Sequence, residues 1–254
     1  MDQIHNYRQN EEKLILSMPF MVTSSDIDMY SRLRLGTLVS LLIQSANNSA
    51  DNLEIGYEDL QEQKLFWVLS RLTLEIHKSL SWHQSGEVET WPKDVQKVLY
   101  IRDFLVKDRN KEIIARATSG WFGIDLETKH IRTIAGTQEF VLDKLKSKHA
   151  LNIIPVKLFP VKEGKISEIK AMYFDIDFNG HVASSRYIDW MMDTFSIEFH
   201  QNNFPQKVTV NFLSETKLHD VIQLMRNTDD GKVFDFEGFN TTRNTIAFRG
   251  KIEF

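Results

Sequence analysis

The sequence predicts an α+β fold in which an antiparallel sheet wraps a helix, built twice in one chain. Three observations carry that expectation. Apolar residues recur at Leu35, Leu38, Leu41, Leu42 and Ala46, a stripe with helical period. Short β-like runs flank it, and in one of them Trp67, Leu69, Arg71, Thr73 and Glu75 alternate with Val68, Ser70, Leu72, Leu74 and Ile76. After residue 165 the order of strand, turn, helix and further strands begins again. A helix with so much apolar surface is buried most economically by a sheet that curves round it.

The elements follow in order. Residues 14–23 (LILSMPFMVT) suit a first strand, and Leu35–Asn52 a helix. Phe66–Ile76, Gly86–Pro92, Val98–Lys107, Ile113–Asp125 and a weaker run near Ile131–Ile134 read as strands, separated by turn-like pieces such as SLSWHQSG and KDRNKE. Residues 136–165 hold GTQ, a lysine-rich stretch and two prolines, and read as a surface linker. Ile166–Phe178 then reads as strand and turn, Ala183–His200 as helix, and Val208–Glu215, Leu218–Arg226, Val233–Phe239 and Thr245–Phe254 as strands. The chain therefore divides into a first domain over 1–135, a linker over 136–165 and a second domain over 166–254. Local echoes join the halves: the stretch around Asp26 and Asp28 precedes the first helix as Phe174-Asp175-Ile176-Asp177 precedes the second.

Composition narrows the function classes. Of 254 residues, 42% are apolar and 26% charged, the balance of a globular chain with a sizeable core. The formal net charge of −4 gives no argument for nucleic acid as a partner. The absence of cysteine excludes a disulfide framework, a cysteine-ligated metal and a cysteine nucleophile. The first residues, MDQIHNYRQNEEK, contain no apolar core of a secretory signal, and LVSLLIQSA is too short and interrupted to span a bilayer. A cytoplasmic protein without stable membrane insertion is expected. No glycine-rich phosphate loop and no HExxH occur, so no cofactor is expected and no metal.

The chemistry-bearing stretch is Asp177-Phe178-Asn179-Gly180-His181, immediately ahead of the second helix. Asp, Asn and His recur at period two, so in an extended run their side chains would share one side. The helix terminus beside them would add free N–H groups and a positive dipole end. Taken alone, the same residues are also turn chemistry: Asn-Gly is a turn dipeptide and Asp a former of Asx turns. Tyr187 and Trp190, three residues apart on the helix, read as core.

DFNGHVASSRYIDWMMD resembles the D-x-N-x-H-V-x-x-x-x-Y-x-x-W stretch of the acyl-acyl-carrier-protein (acyl-ACP) thioesterases of plants and bacteria. LFWVLSRLTLEI, SWHQSGEVETWP and RDFLVKDRNKEIIARATSGWFGIDLETK resemble that family's first half, in order. The resemblance implies a tandem double hotdog, each half a long helix wrapped by a curved antiparallel sheet, with the acyl chain held by the first domain and catalysis in the second. It places catalytic roles on Asp177, Asn179, His181 and, some thirty residues on, Glu215. Thr216 stands where some plant members carry a cysteine, and Ala183-Ser184 where the family often has two asparagines.

The implied reaction is hydrolysis of a fatty acyl-ACP thioester to free fatty acid and holo-ACP, ending fatty-acid synthesis. Glu215 is favoured as the base acting on water, with Asp177 orienting Asn179 or His181. A carboxylate nucleophile stays open at this point, as do two other functions: an acyl-coenzyme A thioesterase and a non-catalytic acyl-thioester-binding module. By the same resemblance the acyl pocket would be lined by Leu38, Leu41, Leu42 and Ser45 of the first helix and by Trp67, Leu69 and Arg71 of the next strand. Asp26 and Asp28 occupy the corresponding place in the first half, which lacks Asn-x-His and reads as catalytically silent. An acidic carrier protein calls for a locally basic face. Lys144, Lys146, Lys148, Lys157, Lys162, Lys165 and Lys170 outnumber Asp143, Glu163 and Glu168 in residues 141–170, and Arg71 and Arg186 are single candidates. Two fused halves supply the pairing that single-domain hotdog proteins obtain by dimerising, so a monomer or a homodimer is expected.

Overall fold

The computed structural model describes residues 14–134, 143–228 and 230–254. The N-terminal segment and residues 136–142 of the expected linker lie outside them. The chain forms two compact units: residues 1–33, 41–70 and 77–155 make the first, and residues 34–40, 71–76 and 156–254 the second.

In the first unit, β1 (Leu16–Met21) pairs with β3 (Ser85–Gln96), β3 with β4 (Leu99–Asp108), and β4 with β5 (Ile113–Asp125), all antiparallel. The short β6 (Ile131–Arg132) adds to β5. Residues 41–52 of helix α1 (Leu35–Asn52) belong to this unit. Leu42, Ala46 and Ala50 are buried, as the apolar stripe requires. A cluster of Leu14, Leu53, Trp91, Leu105, Leu145 and Ala150 closes one part of the core. A short helix α2 (Tyr57–Glu62) follows α1, which the sequence reading did not anticipate. The amide of its N-cap Gly56 donates to the Asp59 carboxylate, and Leu60 is its single buried anchor.

In the second unit, Arg71–Glu75 of β2 (Leu65–Ile76) pairs with β8 (Lys207–Phe212). Antiparallel neighbours continue through β11 (Thr245–Glu253), β10 (Val233–Asn240), β9 (Val221–Thr228) and β7 (Lys165–Lys170). Helix α3 (Ser184–Met192) lies on this sheet. Tyr187 stacks near Phe248 of β11, with centroids 4.8 Å apart, and meets Trp190 edge-on at 5.3 Å. Both are buried and serve as core. The helix comes so close at Gly250 that a Cβ there would stand 2.1 Å from the Met191 sulfur.

Three boundaries correct the sequence reading. The run read as one helix over Ala183–His200 is two: α3 ends at Met192, and α4 (Ile197–Asn202) restarts after Ser196, whose hydroxyl accepts the Phe199 amide. The bend lets Phe195 enter an aromatic cluster with Phe199, Phe234 and Phe254. The strand read over Val208–Glu215 stops at Phe212, because the Leu213 and Ser214 amides both turn to the Ala247 carbonyl. Glu215 therefore sits on a loop. The strand read over Leu218–Arg226 begins only at Val221, after the Lys217–Asp220 turn.

Candidate active site

The Asp177–His181 run is a tight loop and not the extended stretch that period two suggested. The Asp177 amide donates to the His181 carbonyl at 2.8 Å, and the Gly180 amide donates back to the Asp177 carbonyl at 3.0 Å. Gly180 takes φ +78°, a conformation glycine reaches without penalty. The Asp177 carboxylate faces inward to its own loop: Oδ1 accepts the Asn179 amide at 2.9 Å and the His181 amide at 3.3 Å. An isolated bridge between Ile176 and Val182 closes the loop at its base.

The second strand of the site is the loop after β8. The Val182 amide donates to the Thr216 carbonyl at 2.8 Å, so the two loops are stitched together one residue beyond His181 and one beyond Glu215. This register brings His181 Nε2 to 3.0 Å from Glu215 Oε2. The pair is accessible: 27% of the His181 side chain and 46% of that of Glu215 meet solvent. Lys217 and Asp220 brace the Glu215 loop, the Lys217 amide donating to Asp220 Oδ2 at 2.8 Å. Asp220 is held in turn by Asn240 and Arg243.

The four residues named from the sequence thus fall into three places. His181 and Glu215 meet directly. Asp177 acts on the backbone that presents His181. Asn179 is exposed at the loop tip, and no side-chain contact joins it to the pair among the described residues. Behind the loop, Asp175 accepts the Met172 amide and the Arg186 guanidinium, each at 2.8 Å, and Arg186 also reaches Asp189. That brace between loop and α3 was absent from the sequence reading. Its signal was present as an acid two residues before Asp177 and an arginine in the first turn of the helix. Burial pushes the Asp189 carboxyl above its ordinary value, with the like charge of Asp193 adding to it against Arg186.

The first unit holds a separate apolar cavity of about 60 Å³, bordered by Ala46, Ala50, Trp67, Tyr100, Arg102 and Trp121 among others. Of the residues the family resemblance offered as acyl lining, Trp67 borders it, fixed by an indole N–H bond to the Ile55 carbonyl at 2.9 Å. Leu42, Ser45 and Leu69 are buried but are not part of its wall, nor is the half-buried Leu41. Leu38 and Arg71 belong to the second unit. Arg102 was not anticipated. Its guanidinium is fully buried and donates to Ser49 Oγ and Thr90 Oγ1, and burial lowers its pKa to about 10. No cluster of three or more His, Asp or Glu suited to a metal ion occurs among the described residues.

His181 and Glu215 thus form an accessible imidazole–carboxylate pair on two stitched loops, groups able to exchange protons with a water that the fold presents to them. The chain belongs to the acyl-ACP thioesterase family: residues 13–141 match its N-terminal domain and residues 159–253 its C-terminal domain. It is 24% identical to oleoyl-acyl carrier protein thioesterase 1, chloroplastic, of Arabidopsis thaliana, over 89% of this chain and 67% of that protein. It covers smaller shares, 64% and 55%, of an oleoyl-acyl carrier protein thioesterase of Coriandrum sativum and an acyl-[acyl-carrier-protein] hydrolase of Cuphea viscosissima. Among solved structures, an acyl-ACP thioesterase from Bacteroides thetaiotaomicron superposes with a TM-score of 0.84 at 26% identity, covering 96% of this chain and 98% of that one. The 12:0-ACP thioesterase from Umbellularia californica has the same fold, with a TM-score of 0.81 at 18% identity and coverage of 94% and 96%. The double-hotdog fold expected from the sequence is therefore the fold of this chain.

Proposed function

We infer that this chain hydrolyses fatty acyl-ACP thioesters, releasing free fatty acid and the carrier protein. Family membership supports the substrate class, and the His181–Glu215 contact is the observation that carries the chemistry. The enzyme is of the thioesterase class.

Glu215 is the base. Its carboxylate takes a proton from water, and the hydroxide attacks the thioester carbonyl. The C=O π electrons move to oxygen as the C–O bond forms. On collapse the C–S bond breaks, and the thiolate receives the proton held by Glu215, directly or through His181. The balance is one water consumed, one carboxylic acid and one thiol produced. A thiol is a fair leaving group, so this pair suffices without a strong separate acid. His181 Nε2 holds the Glu215 carboxylate in place. Helix α3 begins at Ser184, three residues after His181, and its N-terminal end favours negative charge on that side. Asp177 presents His181 through the backbone. Asn179, exposed at the tip, is free to meet the thioester or its water. In this reading the cavity of the first unit receives acyl carbons, each buried CH₂ contributing about 0.8 kcal/mol.

The direct test is turnover of acyl-ACP by the purified chain, with release of fatty acid followed across chain lengths and acyl-coenzyme A in parallel. Glu215→Gln should lower kcat by about 10²–10⁴ on every substrate that the parent accepts. A Glu215→Gln variant working at the parental rate would remove the basis of the mechanism. We expect a monomer or a homodimer.

A further inference from the structure

We propose that the exposed aromatic segment beside the catalytic loop, Tyr173, Phe174 and Phe178, forms with Leu218, Lys170 and Lys217 the docking face for the acidic carrier protein that delivers the thioester. The proposal rests on the acyl-ACP reading above and locates the carrier's contact surface.

Three aromatic side chains within six residues stand in solvent: Tyr173 is 76% exposed, Phe174 92% and Phe178 77%. Scattered exposed apolar residues are ordinary, but a cluster of large aromatics on one segment marks a surface meant to be covered. Tyr173 and Phe174 already meet edge to face, with centroids 5.3 Å apart. The segment is not a loose tail. The Ala171 amide donates to the Asp220 carbonyl and the Ala171 carbonyl accepts the His219 amide, both at 2.9 Å. These bonds bind it to the loop that carries Glu215, Lys217 and the exposed Leu218. The exposed aromatics thus stand on a segment bonded to the loop that carries Glu215.

Charge selects the occupant. The ammonium groups of Lys170 and Lys217 are exposed and have no acidic partner among the described residues. Lys170 is one of the lysines that sequence reasoning offered for docking; two others of that set already have acidic partners. Lys148 is paired with Glu89 at 2.8 Å and lies over the Trp91 ring, and Lys146 is within 3.9 Å of Asp94. Free cations around exposed aromatic anchors fit an acidic protein surface with an apolar centre. A second copy docking through the same face would set these lysines against each other, and fits less well.

The test compares one acyl group on two carriers: lauroyl-ACP and lauroyl-pantetheine, at low and at physiological salt. The variants are Phe174→Ala and Lys170→Glu. The expected result is a KM for lauroyl-ACP raised about tenfold or more at low salt, as for lost steering and anchoring contacts. Turnover of lauroyl-pantetheine should be unchanged, as should kcat on both substrates. Equal kinetics of parent and variants on lauroyl-ACP overturn the proposal, and so does an equal loss on both substrates. A parent that is dimeric by sedimentation and made monomeric by Phe174→Ala shows the face to be an interface between copies and overturns it too. A parent that hydrolyses the pantetheine thioester but not the carrier-bound one removes the acyl-ACP reading itself, a failure separate from that of the docking face.

Discussion

The loop at residues 27–33 and the loop at residues 176–182 share one backbone and differ in what they do with it. In each, an aspartate amide donates to a carbonyl four residues on at 2.8 Å: Asp28 to Arg32, Asp177 to His181. In each, the aspartate Oδ1 accepts the amides two and four residues ahead: Tyr30 and Arg32 in the first, Asn179 and His181 in the second. Ile27 bridges Leu33 as Ile176 bridges Val182, and the left-handed residue is Ser31 in one and Gly180 in the other. The loops that stitch to them also correspond. The Leu33 amide reaches the Leu80 carbonyl as the Val182 amide reaches that of Thr216, both at 2.8 Å. Ser79 therefore stands where Glu215 stands. In the first loop Arg32 folds back onto Asp28, its Nε at 2.9 Å, and spends its charge there. In the second, His181 is left to face Glu215. The frame is common, and what it carries differs at three places: Tyr30 against Asn179, Arg32 against His181 and Ser79 against Glu215. Because the silent loop keeps its aspartate, that aspartate belongs to the frame.

The comparison breaks most sharply at the pair unique to the second loop. Glu215→Gln or His181→Ala should lower kcat by about 10²–10⁴, the range for removal of a general base. Because the pair is half in solvent, Tm should move by no more than a degree or two. Steady-state kinetics with a thermal melt of the same preparation checks both. Parental rates would return the loop to a purely structural role.

Asp177 gives the next effect. Asparagine keeps an oxygen for the two backbone amides and alanine does not. Asp177→Asn should retain activity within about tenfold of the parent. Asp177→Ala should fall well below it and lose about 1–2 kcal/mol of stability, as for one or two hydrogen bonds. If Asp177→Asn is as inactive as Glu215→Gln, the carboxylate charge enters the chemistry and the frame reading is wrong. The matching change in the silent loop, Asp28→Ala, should cost about 1–2 kcal/mol in denaturant unfolding while kcat stays at the parental value.

Periodic stretches were legible. Helix α1 runs over the very residues the apolar stripe marked, and β5 likewise, because long amphipathic or alternating segments state their own structure. Short or broken elements were not. Ser196 followed by Glu198 is a readable helix start, but a continuous apolar pattern masked it. Asn179-Gly180 signalled a turn, and period two was given more weight than that dipeptide. The His181–Glu215 contact spans 34 residues and rests on the Val182–Thr216 bond between two loops, which only the folded chain fixes, so the family resemblance alone had placed Glu215. Arg102 in a buried strand defeats composition altogether: a cation satisfied by two hydroxyls leaves no mark in hydropathy.

The smallest effect separates the two stitching loops by acid. In the second, the Lys217 amide is capped by Asp220. In the first, the Ser81 amide is capped by the neutral Gln84, again at 2.8 Å. Burial raises the Asp220 carboxyl, but the Lys217 amide, Asn240 and Arg243 together outweigh it and leave the carboxyl below its ordinary value of 3.8. A carboxyl depressed in the folded state contributes stability above its unfolded value, and loses it as pH falls through the folded one. As pH falls below the ordinary value of 3.8, the amides of residues 215–219 should therefore lose hydrogen-exchange protection, corrected for intrinsic rate, before those of residues 79–83. In Asp220→Asn the cap no longer titrates and the two loops should respond alike. A first loop that loosens together with the second in the parent would mean that acid acts on the fold as a whole, and not on this one capped turn.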